Sequence, residues 1–194
     1  MKNICVYCGS SSGKGEAYLS AADALAQALV ERDLGLVYGG ASIGVMGELA
    51  RAVMQRGGEV IGIMPEALMR REIGCDHLTE LQVVESMHER KAAMAAQSDG
   101  FIALPGGMGT LEELFEILTW GQLGFHNKPV GLLNVEGYFD HLIRFLEHAV
   151  TQGLLRQQHR ELLRAAQDPD VLLDNFLKEP APLLDIWIEK QDQL

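Results

Sequence analysis

Gly100-Phe101-Ile102-Ala103-Leu104-Pro105-Gly106-Gly107-Met108-Gly109-Thr110-Leu111-Glu112-Glu113 reads as a strand, a glycine turn and the opening of a helix. The apolar run 100–104 predicts a buried strand, Pro105 ends it, and the loop 105–110 opens a helix reaching about Gly121. Upstream, the same alternation repeats. Strands are predicted at 3–8, 35–38, 59–64 and 78–84, and helices at 45–56 and 88–97. Between the first two strands, Tyr18, Ala21, Ala22, Leu25 and Leu29 follow at helical spacing. Pro65 ends the third strand, and 66–76 is an irregular or short helical connection. Downstream, 129–133 is a sixth strand and 138–151 a further helix. From Gly153 the chain reads as helical, then broken near Pro180 and Pro182.

Alternating βα units imply an α/β fold: a parallel sheet with helices on both faces, ligands sitting beyond the carboxyl ends of the strands. The pattern leaves the strand order open. With no repeat or linker, 1–194 reads as a single domain with a helical extension over about 153–194. Four segments belong at the ligand edge: 9–15, 39–44, 86–91 and 105–113.

Familiar phosphate signatures fail at these loops. At Gly9-Ser10-Ser11-Ser12-Gly13-Lys14-Gly15 the triphosphate pattern is one residue short, and Gly15 replaces its hydroxyl residue. At 39–44, Ala41 stands where a dinucleotide loop needs its second glycine, and at 107–112 the last position is Glu112. What remains at 105–110 is a turn whose glycines permit unusual backbone conformations and close approach of a ligand. Gly107, Met108, Gly109 and Thr110 would aim N–H groups at an anion beside the positive helix end.

Glu113 has two readings. Thr110-Leu111-Glu112-Glu113 fits a capping box, in which Thr110 caps the helix and Glu113 reaches back to it; the spacing alone favours this. The alternative is a carboxylate kept ionised at the helix start and facing a reacting ligand. Ser86-Met87-His88-Glu89 is a second such box, with Glu89 purely structural. Arg90 and Lys91 follow it, and two cations near a helix start hint at an anionic partner.

The formal net charge of −11 argues against broad binding to nucleic acid or to an anionic membrane surface. No apolar run is long enough to span a bilayer, and the N-terminus carries no signal-peptide pattern. Three cysteines, Cys5, Cys8 and Cys75, do not make a disulfide framework, so the cytoplasm is the expected compartment. Cys5 and Cys8, three apart on a strand, point to opposite faces and cannot readily share a metal, although Cys75 and His77 would complete a ligand set on paper.

Taken together, Tyr38-Gly39-Gly40-Ala41-Ser42-Ile43-Gly44-Val45-Met46-Gly47, Met87-His88-Glu89-Arg90-Lys91-Ala92-Ala93-Met94 and 105–113 resemble the Lonely Guy (LOG) family of cytokinin riboside 5′-monophosphate phosphoribohydrolases. The likeness runs from Cys8-Gly9-Ser10-Ser11 to about Pro129, and P-G-G-x-G-T-x-x-E is its most specific element. The resemblance implies a Rossmann-like fold, a homodimer, and hydrolysis of the N-glycosidic bond of adenine nucleotides such as AMP, with neither cofactor nor metal. By motif, Arg90 and Glu113 match the family's catalytic pair. Glu72, Lys91, Gly107, Met108, Gly109, Thr110, Leu111, Glu112 and Thr119 match positions that contact the nucleotide. The apolar stretch Leu183-Leu184-Asp185-Ile186-Trp187-Ile188 fits the implied homodimer. An older label, lysine decarboxylase, would require a Schiff-base lysine, and neither Lys91 nor Lys128 has that context. The alternative of a different class is a nucleotide-binding or molybdenum-cofactor carrier of the same fold, which would have no need of the Arg90 and Glu113 pair.

Overall fold

The computed structural model describes residues 1–69 and 78–178. The predicted βα alternation is realised as seven strands: β1 (Asn3–Tyr7), β2 (Gly35–Tyr38), β3 (Val60–Pro65), β4 (Glu80–Val84), β5 (Gly100–Ala103), β6 (Val130–Leu133) and β7 (Leu163–Ala166). Among the described residues they form one sheet in the order β4-β3-β2-β1-β5-β6-β7, and every neighbouring pair is parallel. Strand order therefore reverses at β1, with β2 on one side and β5 on the other. That reversal opens a crevice between the loops that follow β1 and β5, the place where open parallel sheets bind ligands.

Helices α1 (Ala17–Val30), α2 (Gly44–Gln55), α3 (Glu66–Met69), α4 (Met87–Ala96), α5 (Met108–Leu123), α6 (Asp140–Thr151), α7 (Gln157–Arg160) and α8 (Pro169–Lys178) connect the strands. Strand periodicity sorts the core into two layers. Ile4 and Val6 of β1 join Leu25, Leu29, Leu49, Val53, Leu172 and Phe176 on the face covered by α1, α2 and α8. Cys5 and Tyr7 join Met94, Leu114, Ile117 and Leu146 beneath α4, α5 and α6. Cys8 belongs to the first layer and Cys5 to the second, on opposite faces as their spacing requires.

One strand departs from the sequence reading. Within the region read as helical, β7 pairs with β6 from Val130↔Leu163 to Leu133↔Ala166. Its sequence, Leu-Arg-Ala-Ala, has no β-branched residue, so only the edge of β6 makes it a strand. No helix of the described residues is long and apolar enough to cross a membrane. Glu72, Cys75, His77 and the stretch 183–188 lie outside the described residues.

Candidate active site

The crevice at the strand reversal is stitched together by backbone. Gly9 N–H donates to the Pro105 carbonyl at 3.3 Å, and Met46 N–H donates to the Gly9 carbonyl at 3.2 Å. A Cβ on Gly44 (φ +62°) would overlap the Ser10 backbone, so this glycine lets α2 start against the β1 loop. Between the loops is a hollow of about 290 Å³ lined by Ser10, Ser11, Tyr18, Val45, Gly106 and Tyr138, among others. Tyr138 O–H donates to the Gly106 carbonyl at 2.7 Å and meets the Tyr18 ring edge-on, with centroids 5.7 Å apart. Neither tyrosine was among the sequence candidates. The available signal was that the carboxyl end of β6, from which Tyr138 follows, shares the ligand edge.

The phosphate-loop reading changes in detail. Gly106 through Gly109 do not adopt left-handed backbone. Gly106 is instead required for close packing, because a Cβ there would overlap the Thr110 Oγ1 and sit 2.9 Å from Gly9 N. Around Gly107 and Gly109 a Cβ would meet nothing within 4 Å among the described residues. No atom of the described residues explains those two glycines, and among those residues the space above them is open to a ligand. Helix α5 starts at Met108 with Gly107 as its cap, so the first-turn N–H groups face that space without intrahelical partners. Met108 is 85% exposed there, whereas Thr110 is buried and Leu111 half-buried.

The capping box predicted at Thr110 and Glu113 does not form. With Gly107 at the cap, Thr110 is already inside the first turn and Glu113 lies in the second. The helix starts earlier than the Thr-x-x-Glu spacing suggests because glycines at the turn let it wind from Met108. At Ser86 a cap does form: Ser86 Oγ accepts from Glu89 N–H at 3.1 Å, and the Glu89 carboxylate reaches back one residue further than in a regular box, accepting from Glu85 N–H at 2.9 Å. Capping thus accounts for Glu89 and leaves Glu113 unexplained by local structure.

Glu113 turns instead toward α4. Arg90 Nη2 donates to Glu113 Oε1 at 3.2 Å, with both side chains about nine-tenths buried. Arg90 Nη1 lies 3.9 Å from the Met87 thioether, and Nε is buried with no hydrogen-bond partner among the described residues. Burial pushes the Glu113 carboxyl up to about 7. Arg90 and Lys91 act against that rise, and Glu112 and Glu116 add to it. The carboxylate is therefore not held ionised by a helix start, as the sequence reading had it; it is poised near neutrality by burial. A buried acid at this poise beside a cation, at a ligand edge, has the marks of a reacting group.

Lys91 is clasped by two carboxylates of α5, Glu112 at 2.6 Å and Glu116 at 2.8 Å. Burial works against its charge, but these hydrogen bonds prevail and hold its pKa above the ordinary lysine value. Such a lysine is the opposite of a Schiff-base nucleophile, which needs a neutral amine. Lys128 precedes β6, at the sheet edge opposite the glycine loop, and donates to the Ala95 carbonyl. Thr119 shares the Glu112 and Glu116 stripe of α5, and its hydroxyl donates to the Phe115 carbonyl of its own helix. The structure thus brings Arg90, Lys91, Glu112 and Glu113 together beside the glycine loop, and places Thr119 farther along α5.

A family described as "Possible lysine decarboxylase" matches residues 46–176. The cytokinin riboside 5′-monophosphate phosphoribohydrolase LOG5 of Arabidopsis thaliana is 54% identical over 175 residues, 90% of this chain and 77% of that protein. LOG7 of the same plant, carrying the same activity name, is 50% identical over 184 residues, 95% of this chain and 84% of its own. Among solved structures, the molybdenum cofactor carrier protein of Chlamydomonas reinhardtii superposes with a TM-score of 0.70 at 23% identity, covering 92% of this chain and 99% of that one. A molybdenum cofactor binding protein of Rippkaea orientalis gives 0.66 at 24% identity, covering 90% and 94%. At such identities these structures share the fold.

Proposed function

This chain belongs to the Lonely Guy (LOG) family, and from that premise we propose that it hydrolyses the N-glycosidic bond of adenine-type nucleoside 5′-monophosphates, AMP and cytokinin riboside 5′-monophosphates alike. The observation that carries this reading is the buried Arg90–Glu113 pair beside a glycine loop with open space above it.

The 5′-phosphate is taken by the first-turn N–H groups of α5 and the space over Gly107 and Gly109, so binding energy remote from the reacting bond positions the sugar. As the bond between C1′ and the base nitrogen breaks, positive charge builds on the ribose and the electron pair leaves with the base. The ionised Glu113 carboxylate stabilises that charge and accepts a proton from the water that adds to C1′. The proton passes to the departing base, giving free base and ribose 5-phosphate. Arg90 holds the carboxylate, and its guanidinium charge offsets the negative charge of the departing base or the phosphate.

A non-catalytic carrier of the same fold is the competing reading, and it leaves a buried Arg–Glu pair with a near-neutral carboxyl without purpose. We place the enzyme in the cytoplasm, on its cysteine usage, as a homodimer. Incubation with AMP, with isopentenyladenosine monophosphate and, separately, with adenosine tests the assignment. Adenine and ribose 5-phosphate are expected from AMP, with adenosine turned over far more slowly. Equal turnover of the two removes the phosphate from the argument, and no base release from either nucleotide class leaves the carrier reading.

A further inference from the structure

Arg90 reaches Glu113 through a space that another residue of the ligand edge keeps empty. Gly39 follows β2 directly and is buried. A Cβ built on it would overlap Arg90 Nη2 and come within 3.1 Å of Cζ, while Met46 Sδ would be at an ordinary 3.5 Å. Its backbone is not left-handed, unlike that of Gly40 (φ +80°) and Gly44 (φ +62°). Conformation therefore does not demand glycine at 39. The guanidinium does.

We propose that Gly39 is a positioning residue of the reaction: its bare Cα is the seat that lets the Arg90 guanidinium lie against β2 and pair with Glu113. The proposal rests on the reading of Arg90 and Glu113 as the reacting pair. The overlap falls on the free end of a long side chain, with no backbone atom in the way. An alanine at 39 therefore moves Arg90 and leaves the sheet intact. Arg90 is hemmed in by Met87 and by Glu113 itself, so the displacement loosens the ion pair.

The charged and titratable groups acting on Glu113 are Arg90 and Lys91 from α4 and Glu112 and Glu116 from its own helix. Cys5, Tyr7 and Cys8, from β1 and its end, also interact with it and stay neutral in this range because burial pushes them up. Arg90 is the largest influence holding the Glu113 pKa down, so its withdrawal raises the carboxyl further above 7.

The test is carboxyl 13C NMR on glutamate-labelled wild type, Gly39→Ala, Arg90→Ala and the double variant, each with its melting temperature. The Glu113 titration should move upward in Gly39→Ala, most of the way to its position in Arg90→Ala. In the Arg90→Ala background, Gly39→Ala should add nothing. With AMP, Gly39→Ala should lower kcat by roughly tenfold or more, shift the acidic limb of the rate profile upward and leave KM little changed. A folded Gly39→Ala protein whose Glu113 titrates like wild type overturns the proposal, as does an effect undiminished when Arg90 is absent. If Gly39→Ala unfolds, the double variant decides: recovery of the fold places the conflict on Arg90, and continued unfolding refutes the seat. Loss of AMP hydrolysis in the wild type would refute the proposed reaction separately, since the titration does not depend on turnover.

Discussion

At the scale of single residues, Glu113 separates stability from activity. Its folded-state carboxyl titrates near 7 against an ordinary 4.5, so the folded protein holds an extra proton between those values. The linked stability is fully present below 4.5 and is lost as pH rises through about 7. Glu113→Gln mimics the protonated acid and removes that loss. The variant should match wild type in melting at pH 5 and exceed it at pH 8 by roughly 1–3 kcal/mol. Its turnover of AMP should nonetheless fall by about a thousandfold, because glutamine cannot stabilise a developing cation. Wild-type kcat/KM should rise with pH through about 7, as the carboxylate forms in the free enzyme. Denaturation at two pH values and base release on the same preparation check all three. A folded Glu113→Gln enzyme with near-normal turnover would refute the catalytic role. The sequence singled out Glu113 and Arg90 together by motif, and the structure pairs them. The poise of Glu113 was not legible there, because burial beneath β1 is a tertiary property.

Helix α5 and the loop before it make a prediction at the scale of elements. Gly109 lies in the first turn of α5 with none of the described residues near its missing Cβ and no left-handed backbone. Alanine there should stabilise the helix by about 0.5–1 kcal/mol, because glycine is a poor helix former. If the space above it receives the 5′-phosphate, the same substitution should raise KM for AMP while leaving kcat less affected. A higher melting temperature with an unchanged KM would return Gly109 to chance. Elements with a two-residue or helical period were legible, and β2 at Gly35–Tyr38 coincides with its predicted span. The start of α5 was not, since a capping box and a glycine-capped helix share the same letters. Edge strand β7 was missed because its residues carry no strand preference and only β6 supplies the pairing.

For the whole molecule, the proposed homodimer is supported by the exposed apolar side chains around the site. Met87 (42% exposed), Phe115 (37%) and Met108 (85%) stand at the surface of α4 and α5 near the Arg90–Glu113 pair. Light scattering at micromolar concentration should report twice the chain mass. Replacing Phe115 with aspartate should shift it to the monomer and weaken turnover if the partner helps to close the site. A fully active monomer would refute the assembly. The parallel sheet was legible from the βα rhythm. Its order was not, because right-handed crossovers leave open which side of β1 receives β5.

That order has a consequence for how the chain is made. Of the seven described strands, the one that comes first along the chain is the middle of the finished sheet. One flank of β1 pairs with β2, while the other waits for β5, as in Ile4↔Gly100. Until then β1 presents a bare apolar edge open to pairing with other chains. A fragment ending after α4 would keep that edge exposed and should aggregate, whereas one extended through β5 should be markedly more soluble. Refolding of the full chain should be slow, milliseconds or longer, since pairing β1 with β5 closes most of the first half of the chain into one loop. The crevice that receives the ligand is thus also the seam at which the nascent sheet is completed.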